Sequence, residues 1–153
     1  MAASVYAVPA EASERAYFKS VQGNWSGSGE IVAGKYKNTR FTCKFTGNVP
    51  RGLGMDISGK CRVGLFTQEM SARITKRGKS YRGQFLDGAK GKGLDIVSGR
   101  LKSNKLIVGI NRKKLNGTMV ANMKNRNKMH ITISVRGNSN KLIPVIGLTL
   151  NRT

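Results

Sequence analysis

The sequence predicts an all-β protein: a single antiparallel up-and-down β-barrel of about ten strands behind a short N-terminal helix. Three observations carry this. From Gly23 onward, apolar residues recur with a period of two rather than about 3.6. Glycine-rich polar turns interrupt these runs at regular intervals. Runs on either side of successive turns can also be paired so that apolar meets apolar.

Residues 1–20 read as a separate N-terminal segment and residues 21–153 as the barrel domain. Met1 to Ser13 is Ala-rich and carries no net positive charge. Ala7-Val8-Pro9-Ala10-Glu11 resembles the small-residue end of a secretory signal peptide, without the basic start and apolar core of one. The expectation is an exported chain trimmed near its mature N-terminus, with Met1 added or retained for expression. Glu11 to Val21 can form a short helix with Ala12, Ala16 and Phe18 as its apolar members.

The first strand is Gly23-Asn24-Trp25-Ser26-Gly27-Ser28-Gly29-Glu30-Ile31, which holds the only tryptophan. Gly23, Gly27 and Gly29 share a face with Trp25, and glycine there lets a strand bend or another backbone approach. Trp25 is either the plug of one barrel end or an ordinary core tryptophan. Next, Phe41, Cys43 and Phe45 alternate with Thr42, Lys44 and Thr46. Met55, Ile57, Cys61 and Val63 alternate with Asp56, Ser58, Lys60 and Arg62. Phe66, Met70, Ala72 and Ile74 alternate with Thr67, Glu69, Ser71 and Arg73. Cys43 and Cys61 flank Pro50-Arg51-Gly52-Leu53-Gly54 symmetrically, with residue 52 at the midpoint. A hairpin turning there sets the sulfurs opposite each other, which points to a cross-strand disulfide and an oxidising compartment. Two buried thiols are the alternative.

The later strands are placed by register. A turn at Arg77-Gly78 sets Ile74 against Tyr81, Ala72 against Gly83 and Met70 against Phe85. A turn at Ser103-Asn104 sets Leu106, Val108 and Ile110 against Leu101, Gly99 and Val97. Asn116-Gly117, the strongest hairpin signal, would pair Ile110 with Met123 and Arg112 with Ala121. A loop at Asn125-Arg126-Asn127 sets Met123 against Met129 and Ala121 against Ile131. A loop from Gly137 to Asn140 sets Val135 against Leu142 and Ile131 against Ile146. The runs centre on Trp25, Phe41, Ile57, Met70, Phe85, Ile96, Val108, Ala121, Ile131 and Ile146. Such a meander closes on itself, because closure removes exposed edges. Pro144 cannot donate to a ladder and marks a bulge, a strand start or an incomplete closure.

The chain of 153 residues carries a formal net charge of +21, from 28 Lys+Arg against 7 Asp+Glu. That excess predicts attraction to polyanions: nucleic acid, acidic polysaccharide, lipopolysaccharide or anionic membrane. Part of it serves solubility. No apolar run reaches the roughly 18 residues of a membrane-spanning helix. The candidate polyanion-binding residues sit at turns: Lys76, Arg77 and Lys79; Arg112, Lys113 and Lys114; Lys124, Arg126 and Lys128. Lys90, Lys92, Lys102 and Lys105 lie at further turns. Turns of a meander alternate between the two barrel ends, so the charge reaches both. No aromatic residues interleave with these clusters, which argues against a single-strand stacking platform.

The candidate ligand-binding residues are the inward set Trp25, Phe41, Phe45, Met55, Met70, Phe85, Met119, Met123, Met129 and Ile131. They line either a packed core or a cavity for an apolar ligand, and the methionines make an adaptable lining in both cases. No metal site or cofactor is expected. The sole histidine, His130, lies on the polar face of its strand without a second histidine as partner. The cysteines take the opposite face, and the carboxylates Glu30, Asp56, Glu69, Asp87 and Asp95 follow no motif. No catalytic residue is expected.

Gly-x-Trp on the first strand after a short helix, here Gly23-Asn24-Trp25, resembles the calycin superfamily of lipocalins, fatty-acid-binding proteins and avidins. The longer stretch Gly23 to Glu30 is similar to the first strand of nitrobindin-like ten-stranded barrels. The resemblance implies that a late arginine packs over Trp25. Arg152, in Leu148-Thr149-Leu150-Asn151-Arg152, is the matching residue. The haem-ligating histidine near the C-terminus of nitrobindin-like barrels has no counterpart here, so haem is not expected.

The reading is therefore a non-enzymatic, periplasmic or secreted binding barrel. It would engage anionic envelope polymer or lipid and, in an interior cavity, an apolar ligand. A nucleic-acid-binding barrel and a protein-binding module such as a protease inhibitor are the alternatives.

Overall fold

The computed structural model of the chain describes residues 10–86, 93–112, 115–137 and 139–153. Among them lie one helix, α1 (Ala10–Val21), and ten strands. The strands are β1 (Gly23–Ile31), β2 (Arg40–Asn48), β3 (Gly54–Val63), β4 (Phe66–Arg77), β5 (Ser80–Leu86), β6 (Gly93–Lys102), β7 (Lys105–Arg112), β8 (Leu115–Asn125), β9 (Lys128–Arg136) and β10 (Leu142–Arg152). Each expected strand centre falls inside one of them. All neighbours are antiparallel, and pairing of β1 with β10 closes the barrel. The period-two pattern produces this directly: alternate side chains, among them Trp25, Cys43, Phe45, Met55, Ile74, Tyr81, Val108, Met129 and Leu150, point inward and form one core.

Helix α1 lies across one end of the barrel. It buries Tyr17, Phe18 and Val21, whereas Ala16 is exposed. The side chain of Ala12 lies outside the described residues. Phe18 is buried as expected, and Tyr17 and Val21, rather than Ala16, complete the contact. The Tyr17 hydroxyl donates to the Ala121 carbonyl at 2.7 Å, and the Phe18 ring meets that of Tyr81 edge-on, 5.7 Å between centroids. Gly47 makes room for the helix end, since a Cβ there would lie 2.3 Å from the Val21 oxygen.

Several registers differ from expectation. The β4–β5 turn is at Gly78-Lys79, not Arg77-Gly78, because Arg77 pairs with Ser80. Ile74 then faces Gly83 and Ala72 faces Phe85. This two-residue shift keeps every side chain on its expected face. Between β6 and β7 a bulge at Val97 puts Ile96, not Val97, opposite Ile110. Asn116-Gly117 is not a turn. Arg112 pairs with Leu115, and Ile110 faces Gly117, so the dipeptide lies inside β8. Arg136 pairs with Leu142 and Val135 with Ile143, one residue from the expected register. A bulge at Val145 adds another step, so that Ile146 faces Ile133. Pro144 stands beside this bulge, where its missing donor is tolerated. The Asn125–Asn127 loop pairs Met123 with Met129 and Ala121 with Ile131, as expected. Cys43 and Cys61 stand opposite each other, with Cα atoms 4.0 Å apart, and are disulfide-bonded.

Candidate functional site

The two barrel ends differ. At the end under α1, Trp25 is 1% exposed, and its Nε1 donates to the Val21 carbonyl at 2.9 Å. The Arg152 guanidinium lies 4.3 Å from the Trp25 ring centroid, a cation–π contact. The same guanidinium donates to the carbonyls of Ser20 and Gln22 at the end of α1 and to that of Arg126 in the β8–β9 turn. A cation there also complements the negative end of the helix dipole. Gly23 permits the stack: its φ is +117°, and a Cβ would lie 2.7 Å from an Arg152 nitrogen. Tyr17 and Tyr81 fill the space around Phe18, and burial raises both phenols above their usual pKa, with the Glu14 carboxylate a further cause at Tyr81. This end is plugged by buried side chains, and a cleft of about 490 Å³ opens beside them between α1 and the turns at Ser103-Asn104 and Asn125-Arg126.

The opposite end, the mouth, has no such cover among the described residues. Inward-facing Phe41, Cys61, Met70, Phe85, Ile131 and Ile133 remain half-buried. The expected lining therefore divides. Trp25, Phe45, Met55, Met119, Met123 and Met129 are buried in the core, and Phe41, Met70, Phe85 and Ile131 form the wall toward the mouth. Val63, Phe66, Leu115 and Ile143 continue the inward-facing set up to the rim.

The turn cations reach both ends. Arg77, Lys79, Lys124, Arg126 and Lys128 are at the helix end and exposed, and Arg112 is at the mouth. Lys113 and Lys114 lie outside the described residues, as do Lys90 and Lys92. Lys76, expected at a turn, lies within β4. It takes an inward-facing position under α1 and forms an ion pair with Glu14 of the helix. His130 is half-buried, its Nδ1 2.9 Å from the Thr149 hydroxyl. Asp56 pairs with Arg73 at 2.8 Å. Among the described residues no group of His, Cys, Asp and Glu could hold a metal ion.

Two features went unread in the sequence. A cleft of about 740 Å³ opens on the wall of β1–β4, lined by outward-facing Ser26, Ser28, Thr42, Lys44, Lys60, Arg62 and Thr67 over Gly27, Cys43, Gly59 and Cys61. Lys44 stands directly opposite Lys60, and Thr42 opposite Arg62. The register about residue 52 that aligns the cysteines aligns these residues as well. The second is the β3–β4 turn, where Leu65 and Phe66 are 102% and 79% exposed. Its signal was an apolar pair following Gly64, where turns are normally polar.

In fold, the chain is a closed ten-stranded antiparallel barrel of calycin-like architecture, with Arg152 stacked on Trp25 at the end covered by α1. No protein-family model and no curated protein matches the sequence. Among solved structures, Rv2717c from Mycobacterium tuberculosis superposes with a TM-score of 0.62 at 10% identity, covering 95% of this chain and 98% of that one. The S-type phycobiliprotein lyase CpeS from Guillardia theta gives 0.62 at 8% identity, covering 92% and 93%. A protein of the DUF3598 family from Nostoc punctiforme gives 0.58 at 10% identity, covering 89% of this chain and 49% of that one. At these identities the likeness is one of fold.

Proposed function

We propose that the chain is a non-enzymatic binding barrel that holds an apolar or amphipathic ligand in the half toward its mouth. The observation that carries this reading is the asymmetry of the ends: a plug of α1, Trp25 and Arg152 at one, half-buried Phe41, Met70, Phe85 and Ile131 at the other. The Cys43–Cys61 disulfide supports an oxidising compartment, hence a periplasmic or secreted protein. The net charge of +21 supports anionic envelope polymer or lipid as its surroundings. Native mass spectrometry of protein purified without detergent, with organic extraction of its cargo, tests the reading. The expected result is a bound apolar molecule, or saturable uptake of a fluorescent fatty-acyl probe. Protein that carries nothing and takes up no probe would sink it.

A further inference from the structure

Ten large apolar side chains are exposed among the described residues, and all but Val97 sit at the mouth. Val32 and Tyr36 come from the β1–β2 loop, Val63, Leu65 and Phe66 from the β3–β4 turn, Leu86 from the end of β5, Leu115 from the start of β8, and Leu142 and Ile143 from the start of β10. At the helix end, the turns Arg77–Lys79, Ser103-Asn104 and Asn125–Asn127 expose only polar groups, glycine and cations. Exposed apolar side chains gathered on one surface mark a site of interaction. The same rim carries Lys35, Lys37, Arg40, Arg62, Arg112, Arg136 and Lys141. The mouth-side carboxylates among the described residues are three, Glu30, Glu69 and Asp95; Glu30 stands opposite Arg40 at the rim, and Glu69 opposite Lys60 further down the wall.

We propose that the mouth docks on an anionic lipid bilayer, with Leu65 and Phe66 entering the boundary between headgroups and acyl chains. This deepens the functional reading above by naming the anionic partner and the surface that meets it. The apolar groups come from five separate parts of the chain and encircle an opening. They suit a flat, fluid apolar layer better than the contiguous knob of a protein partner. The cations beside them match anionic headgroups, and this pairing of apolar anchors with basic residues is how peripheral proteins hold a membrane surface. The β1–β2 loop is held in place for contact: the Ile31 N–H donates to Thr39 at 2.9 Å, the Asn38 N–H to Ile31 at 2.7 Å and the Val32 N–H to Val145 at 2.9 Å. Docked in this way, the open half of the barrel faces the acyl chains from which an apolar ligand could enter.

Co-sedimentation with vesicles of phosphatidylcholine, with and without phosphatidylglycerol, tests the proposal. The full chain should bind the anionic vesicles and leave the neutral ones. Leu65→Ser with Phe66→Ser, both at exposed positions, should weaken binding at least about tenfold. Each of Lys35→Gln, Lys37→Gln and Lys141→Gln should cost about fivefold. Arg77→Gln with Lys79→Gln at the helix end should cost much less. In the Phe66→Trp variant the added emission should shift to the blue on anionic vesicles and be quenched by brominated lipid, while Trp25 at the far end is not. Equal losses from both ends, or vesicle binding indifferent to Leu65 and Phe66, would overturn docking and leave diffuse charge attraction. Absence of vesicle binding overturns it as well, in favour of an acidic protein partner. Uptake of the fatty-acyl probe in solution is read separately, so docking can fail while the ligand-binding barrel stands.

Discussion

Trp25 is fixed from three directions: the Val21 carbonyl holds its Nε1, Arg152 covers its face, and core side chains surround the ring. Arg152 also ties the end of α1 to the β8–β9 turn, so one residue pair links helix, first strand and last strand. Removing the indole leaves a cavity and strips the guanidinium of the surface on which it is stacked. Trp25→Ala should lower stability by about 3–5 kcal/mol, measured by chemical denaturation followed by circular dichroism. An unchanged midpoint would show that the plug adds nothing to the barrel. The resemblance had matched Arg152 to Trp25. The anchoring of Arg152 on Ser20, Gln22 and Arg126 was not legible, because it depends on where α1 ends in space.

At the scale of elements, the β2–β3 hairpin is the best-specified unit. Its disulfide closes a loop with a sequence separation of 18, and constraint of the unfolded chain gives such a loop about 3 kcal/mol of stability. Thiol titration of denatured, unreduced protein should find no free thiol, and reduction should lower the melting temperature. Two reactive thiols would remove the argument for an oxidising compartment. This hairpin was legible because its cysteines, its proline–glycine turn and its alternation agree on one register. The β7–β8 hairpin shows the opposite case. Asn116-Gly117 has the chemistry of a tight turn, yet it lies in β8. The glycine serves a close approach: a Cβ at Gly117 would lie 2.2 Å from the Ser134 oxygen of β9. The expected and observed pairings put the same residues on the inward face, so hydrophobic patterning could not separate them. Barrel closure and β9 packing decide between them. The expected turn at Arg77-Gly78 missed for a related reason, since a two-residue step keeps every side chain on its face; at Gly137–Asn140 the following run Leu142-Ile143-Pro144-Val145-Ile146 is apolar throughout and offers no alternation to fix the register.

At the scale of the whole molecule, charge and apolar surface are distributed differently. Cations occupy both ends and the β1–β4 wall, whereas exposed apolar groups are concentrated at the mouth. Association with polyanions in general should therefore follow charge density. Binding of a random DNA duplex should weaken steeply and linearly on a logarithmic salt scale, as counterion release requires. Fluorescence anisotropy at several salt concentrations checks this. A marked preference for one sequence at moderate salt would instead favour base recognition. The apolar rim could be foreseen only in part. Phe66 was legible as a strand residue, but that Val32, Tyr36, Leu115 and Ile143 meet around one opening follows from closure, not from local pattern.

The pairing of β1 with β10 has a consequence for how the molecule is made. During ribosomal synthesis β1 emerges early, and its closing partner, residues 142–152, emerges after all the others. Until then two strand edges stand unpaired, and an open edge is a template for another chain. The nascent sheet can zip from hairpin to hairpin, but the seam must wait. A chaperone acting on the nascent chain therefore has a defined interval in which to hold it, and that interval ends when Arg152 reaches Trp25.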